Sequence, residues 1–163
     1  LVHRLDIGTS GALIAARTPA AYAALRGAFG AGSVDKHYLA ITEGRPVSRE
    51  CDAPLAQRGK RAVVDHTDGL AAYTAFTVER ASPTYALVRC AAQTGRMHQV
   101  RAHLAHVAAP IAGDTLYGGS PVPGLDGFFL HAATITFSLG AERVHVEAPL
   151  PDRFTAALAA CGL

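Results

Sequence analysis

Leu1-Val2-His3-Arg4-Leu5-Asp6-Ile7-Gly8-Thr9-Ser10-Gly11 is the stretch on which the reading of this 163-residue chain turns. It places a carboxylate two residues after an arginine and just ahead of a turn of small, hydroxyl-bearing residues, with the apolar Ala12-Leu13-Ile14 following. A carboxylate attacks an electron-poor carbon if it is ionised and held in place. An adjacent cation and backbone donors from a glycine-containing turn would do both. Asp6 is therefore a candidate nucleophile, and Arg4 has the right charge to serve it. The same residues also fit an ordinary turn in which Asp6 caps the amides of Gly8 and Thr9 and Arg4 is solvated. Taken alone, they leave both readings open.

His3-Arg4-Leu5-Asp6-x-x-Thr9-Ser10-Gly11 resembles the signature of the RluA-type pseudouridine synthase family, in which the Asp is the catalytic nucleophile. Two later blocks follow in the family's order. Lys36-His37-Tyr38-Leu39-Ala40 is similar to its second motif, and Gly95-Arg96-Met97-His98-Gln99-Val100-Arg101-Ala102-His103-Leu104-Ala105 to its third, continued by Pro110 through Gly118. The resemblance implies an α+β pseudouridine synthase fold, a mixed and mostly antiparallel sheet with flanking helices. It also implies isomerisation of uridine to pseudouridine in ribosomal or transfer RNA, without metal or organic cofactor.

Residue by residue, the resemblance makes Asp6 the nucleophile and Arg101 the cation that pairs with it and keeps it charged. Tyr38 stacks on the target uracil and takes part in a late proton transfer. Arg4 helps to evict the uridine and fills the space it leaves. Lys36, Arg96, His98 and Gln99 are expected to contact substrate or RNA. A base must leave its stack before C1′ and C5 can be rejoined, so loops and bulges are the expected targets. The alternative is a non-catalytic RNA-binding or RNA-remodelling module of the same fold, against which the joint presence of Asp6, Tyr38 and Arg101 speaks. A small-molecule lyase or hydrolase has no phosphate-cradling glycine loop, no Ser-His-Asp order and no metal set to support it.

Composition sets the bounds. With 50% hydrophobic residues the chain has the length and the apolar content for one core-forming domain. No run approaches the roughly 18 apolar residues of a membrane span, and cytoplasmic location is the expectation. Cys51, Cys90 and Cys161 lie far apart with no C-x-x-C pair, which favours reduced thiols over a disulfide scaffold or a cysteine zinc site. The net charge of +2 does not by itself indicate nucleic-acid binding. Lysine is scarce, however, so arginine carries most of the positive charge, and its planar fork suits phosphate contacts and base stacking. His98, His103 and His106 are spaced five and three apart, unlike the four-residue spacing of paired metal ligands on a helix.

In chain order, Ala12 to Arg17 reads as a short buried strand. Thr18 and Pro19 open a helix carrying Tyr22, Leu25 and Phe29, with Gly30 at its left-handed cap. Asp35 to Glu43 alternates as a strand, with His37, Leu39 and Ile41 on one face and Lys36, Tyr38 and Ala40 on the other. Gly44 to Asp68 is an exposed excursion with one or two short strands. Its cations suit RNA phosphates or plain solvent equally. Leu70 to Arg80 and Thr84 to Ala91 are antiparallel neighbours contributing Tyr73, Phe76, Val78, Leu87 and Val88 to the core.

Thr94 or Gly95 opens a helix with the stripe Met97, Val100, Leu104 and Val107, whose other face projects His98 and Arg101 together toward a cleft. It ends near Val107, where Ala108 and Ala109 replace the family's glycine and polar residue. A left-handed cap kept there costs alanine roughly 1 kcal/mol. Asp114 is read as a structural hydrogen-bonding residue with no catalytic role. Leu130 to Leu139 and Arg143 to Ala148 form a hairpin joined near Gly140, and Leu150-Pro151 starts a final helix with Phe154, Ala157, Leu158 and Cys161 on one face. The domain, residues 1–163, is expected to be incomplete at its N-terminus, lacking upstream strands of the same sheet. Unpaired edges and exposed apolar surface would then favour self-association.

Overall fold

The computed structural model describes residues 1–163. Its strands are β1 (Ser10–Gly11), β2 (Asp35–Glu43), β3 (Glu50–Cys51), β4 (Leu55–Arg58), β5 (Arg61–Val64), β6 (Thr74–Ala81), β7 (Tyr85–Ala92), β8 (Leu130–Leu139) and β9 (Glu142–Glu147). Its helices are α1 (Pro19–Gly30), α2 (Gln99–His106) and α3 (Asp152–Ala160). The main sheet runs β1-β8-β2-β7-β6-β3, with β9 also paired to β8, and β4-β5 form a separate hairpin. Only β1 and β8 are parallel; every other pair is antiparallel.

The alternation of β2 and β7 builds a core on each face of the sheet. Ala40, Val88 and Cys90 pack with Val100, Leu104 and Val107 of α2. Leu39, Ile41 and Leu87 pack with Phe154, Ala157 and Leu158 of α3. A third cluster joins Val2, Leu25 and Val34 to Ile135 and Phe137, fastening the N-terminal stretch and α1 to β8. Thr18 caps α1 as expected, its Oγ1 accepting from Ala21 N at 3.2 Å. The left-handed residue after that helix is Gly32 (φ 71°), two positions beyond the expected Gly30.

Several expectations are corrected. Ala12 to Arg17 forms no strand: β1 stops at Gly11 because β9 occupies the same edge of β8 from Thr134 onward. Only Ala12 of that stretch is buried. The strand expected from Leu70 starts at Thr74, and Leu70 makes a lone bridge to Leu55 with its side chain exposed. Val78 is exposed although it continues the face of Phe76 in register, and the register shift follows it, between Val78 and Arg80. The excursion from Gly44 holds three short strands, β3 to β5. Helix α2 begins at Gln99, because His98 is left-handed at φ 52° and Gln99 Oε1 draws in Thr94 Oγ1 (2.7 Å) and Arg96 N (3.0 Å) to make a turn. Ala108 is left-handed at φ 57°.

Candidate active site

The turn from Asp6 to Thr9 is closed through the backbone, Thr9 N donating to Asp6 O at 2.9 Å. Gly8 (φ 94°) makes the bend, and Gly11 (φ 112°) lies so close to the Ala132 backbone that a Cβ would collide with it. Ala12 N then donates to Ala132 O at 2.9 Å. His131, almost fully buried, pins the exit of the turn. Its Nδ1 pairs with Ser10 Oγ at 2.9 Å and its Nε2 with Ala148 O at 3.1 Å. Because the backbone closes the turn, the Asp6 carboxylate is not spent on capping Gly8 or Thr9, and it faces outward into a cleft.

Two basic side chains from the start of α2 approach Asp6. Arg101 Nη1 stands 3.6 Å from Asp6 Oδ2 and His98 Nε2 4.0 Å from Oδ1. Arg101 is itself tightly fixed: Nε donates to Asp114 Oδ2 at 2.7 Å and Nη2 to Asp114 Oδ1 at 2.8 Å. Its guanidinium lies 4.4 Å from the Phe128 ring centroid and 5.0 Å from that of Tyr117. Burial works against the Arg101 charge, and the Asp114 hydrogen bonds with the two nearby carboxylates outweigh it, shifting the group upward. Such a fork-to-fork pair, with both remaining faces stacked, leaves one nitrogen free to address Asp6.

Asp114 is held by its own turn. Its N–H donates to Ile111 O, and its carbonyl accepts from Tyr117 N and Gly119 N, each at 2.9 Å. That turn is sewn to β2 through Ala112 N to Ile41 O (2.8 Å) and Glu43 N to Pro110 O (2.9 Å). Asp6 thus meets the pair of Arg101 and Asp114, thirteen residues apart, from far earlier in the sequence.

The cleft measures about 200 Å³ and is lined by Arg4, Asp6, Thr9 and Tyr38 on one side and by residues from Thr94 to Val100 on the other. Tyr38 projects from the face of β2 that carries α2, packing against that core with its phenol at the cleft. Burial, then the Asp6 charge, pushes its hydroxyl up to about 12, so it is a neutral phenol near pH 7. His98 is pushed down by burial, against the pull of Asp6, and is neutral there too. Its Nδ1 lies 3.0 Å from the Tyr117 hydroxyl, which also accepts from Ala62 N at 2.8 Å. The same hydroxyl donates to Ala62 O at 3.2 Å, which leaves it to accept from the Nδ1–H of His98.

The remaining expected contacts divide. Arg4 is exposed at the cleft and makes no bond to Asp6, so the charge partner is Arg101 and not the neighbour in sequence. Arg96 is exposed at the rim with Nε on Ala71 O at 3.0 Å. Lys36 is buried outside the cleft, in an adjoining groove. Gln99 lines the cleft with its amide engaged by the protein: Oε1 accepts from Thr94 Oγ1 and Arg96 N, while Nε2 donates to Tyr73 O (2.9 Å) and Thr74 Oγ1 (3.0 Å). All four hydrogen-bonding positions of its amide are used by the protein. Thr74 passes the chain on to the buried His103, whose Nε2 reaches Ala53 O. His103 thus points away from His98, and no group of three His, Cys, Asp or Glu side chains is placed to hold a metal ion. Tyr117 and Phe128 are site residues with no earlier assignment. The only sequence signal for Tyr117 is its place in the Gly113-Asp114-x-x-Tyr117-Gly118 turn.

Comparison with known proteins adds to this geometry. A family model described as RNA pseudouridylate synthase matches residues 1–106. A ribosomal large subunit pseudouridine synthase D of Xanthomonas campestris pv. campestris is 38% identical over 172 residues, covering 93% of this chain and 51% of the relative. An uncharacterized RNA pseudouridine synthase of Zymomonas mobilis is 38% identical over 164 residues, covering 95% of this chain and 74% of the relative. Among solved structures, human RNA pseudouridylate synthase domain containing 4 superposes with a TM-score of 0.83 at 23% identity, over 99% of this chain and 75% of that one, which speaks to the fold alone. Human RNA pseudouridylate synthase domain containing 1 gives a TM-score of 0.79 at 27% identity, over 98% and 71%. The chain spans about half the length of the first curated relatives it matches.

Proposed function

The chain belongs to the RNA pseudouridylate synthase family, and we propose that it isomerises uridine to pseudouridine in RNA with Asp6 as the nucleophile. The observation that carries the proposal is the Asp6 carboxylate, free of any capping bond and facing Arg101, at a cleft walled by Tyr38. Ribosomal RNA is the favoured substrate class, because relatives named for the large ribosomal subunit are among those most similar. The bacterial cytoplasm, where such RNA is made, is the matching location. No helix is long and apolar enough to cross a membrane.

The reaction breaks the bond from C1′ to N1 and joins C1′ to C5. The proton on C5 departs and a proton is gained at N1, so no atom is added or lost overall. Attack by Asp6 at C1′ or at C6, or proton removal leading to a glycal, each starts from the ionised carboxylate. Arg101 supplies a preorganised positive charge against it, fixed before substrate arrives by Asp114, Tyr117 and Phe128. Tyr38 offers its ring as a stacking face. As a neutral phenol it takes up the C5 proton only by passing its own proton on, so it acts as a relay and not as a free base. Arg4, exposed at the mouth, is placed to fill the stack after the uridine is turned out.

The test is to incubate the chain with unmodified ribosomal RNA, digest the RNA to nucleosides and separate them. A new nucleoside of uridine's mass that resists glycosidic cleavage is expected, and it should be absent with Asp6→Asn. RNA bound by a folded chain with no such product would favour the non-catalytic module.

A further inference from the structure

Beside the cleft runs a second hollow of about 470 Å³, and the two share Arg4, Tyr38 and the segment from Thr94 to Arg96. Its other basic residues are His3, Arg26 and Lys36, and no carboxylate lines it. Exposed arginines alone would be an ordinary solvated surface. Lys36 is not exposed: only 7% of it is accessible, and Nζ makes neither a hydrogen bond nor an ion pair. Its nearest assigned neighbour is the face of Phe29, 5.9 Å from Nζ to the ring centroid, and that ring stacks on His3 at 4.8 Å.

Taking most of an ammonium's surroundings out of water without a paired counterion disfavours its charged form. Burial lowers the Lys36 group accordingly, with Asp35 offsetting only part, and His3 is pushed down by burial and then by Lys36. A cation kept in that position suits an anion arriving from the open side of the hollow. Lys36 and Tyr38 lie two residues apart on one face of β2, roughly 7 Å along the strand. A nucleobase and an adjoining phosphate of one strand are separated by a similar span, and the two hollows join at Arg4 and Tyr38.

Resting on the RNA reading above, we propose that Lys36, flanked by His3 and Arg26, seats a phosphodiester of the RNA strand next to the nucleotide held in the cleft. The test measures binding of a fluorescent hairpin RNA with a uridine-rich loop as salt rises, with the chain carrying Asp6→Asn so that nothing turns over. Removing one phosphate contact by Lys36→Met lowers the slope of log K against log salt by about 0.7–0.9 and weakens binding alike across loop sequences. Lys36→Arg keeps the slope. Since Lys36→Met also removes an unpaired charge on a mostly buried side chain, its melting temperature stays level or rises.

An unchanged slope overturns the proposal, as does a lowered melting temperature with the slope intact, which marks Lys36 as structural. If Lys36→Met does not fold, nitrogen-15 lysine labelling of the unsubstituted chain decides. Its lysines are Lys36 and Lys60 only, and RNA must move the Lys36 ammonium signal. A Lys36 signal that stays put overturns the proposal. No RNA binding at all overturns both this assignment and the RNA reading beneath it, whereas binding and pseudouridine formation with an unaltered slope overturn this assignment alone.

Discussion

Arg101 and Asp114 form a two-point ion pair beneath the cleft, 2.7 and 2.8 Å long, with side chains only 6% and 1% exposed. The pair turns a flexible arginine into a fixed charge, because two of its nitrogens are spent on Asp114 and the third faces Asp6. Breaking such a pair from one side leaves a buried charge uncompensated. Asp114→Asn is expected to cost about 3 kcal/mol in urea unfolding. Loss of the fixed Arg101 geometry should lower pseudouridine formation by about 100-fold. A variant that keeps full activity would show that Arg101 needs no anchor.

Ala108 sits at φ 57° and is exposed, so its side chain gives up no packing when removed. Ala108→Gly relieves the left-handed strain while adding freedom to the unfolded chain, for a net gain of roughly 0.5–1 kcal/mol. Equilibrium denaturation checks this, and a loss of stability would contradict it.

Gly11 presents the opposite case. Its φ of 112° and its approach to the Ala132 backbone leave no place for a Cβ. Gly11→Ala is expected to lower stability by more than about 2 kcal/mol, since both strain and overpacking act. Because Gly11 closes the turn that starts at Asp6, activity per folded molecule should fall as well. Thermal unfolding paired with an activity assay on the soluble fraction reads both.

His103 is fully buried, and burial holds its imidazole below the ordinary value, the Ala53 carbonyl opposing and His106 adding to the effect. His3 and His98 shift in the same direction. A folded-state value below the unfolded one means that the unfolded chain takes up protons first. Stability is therefore complete above about pH 6.5 and declines as the pH falls through that value. Urea midpoints should drop between about pH 7.5 and 5.5, and His103→Gln should lose part of that dependence. A flat profile would contradict the assignment of these histidines as neutral in the folded chain.

Much of this architecture follows from local patterns. The alternation in β2, the Thr18 cap of α1 and the hairpin around Gly140 each express a short-range rule that the structure obeys. The mostly antiparallel sheet with flanking helices is the one the family resemblance implies. Where the sequence reading and the structure part, hydrogen-bond partners that the motif does not reveal are the cause. Ala12 to Arg17 has strand-like apolar content, yet β9 takes the edge it would need. Gln99 lies in a motif that suggests substrate contact, yet Thr94, Arg96, Tyr73 and Thr74 use every donor and acceptor it has. Arg4 is close to Asp6 in sequence, yet the cation facing the carboxylate is Arg101, the residue the family resemblance points to. Asp114, read from the sequence as a structural hydrogen-bonding residue, is what fixes it, a partnership visible only in space.

Tritium release from C5-labelled uridine in unmodified ribosomal RNA tests the central claim most directly, since it reports replacement of the C5 hydrogen by the new bond to C1′. Release is expected with this chain and none with Asp6→Asn, while both bind the RNA. Equal release from the two would remove Asp6 from the chemistry, and a folded, RNA-binding chain that releases nothing would contradict the synthase reading.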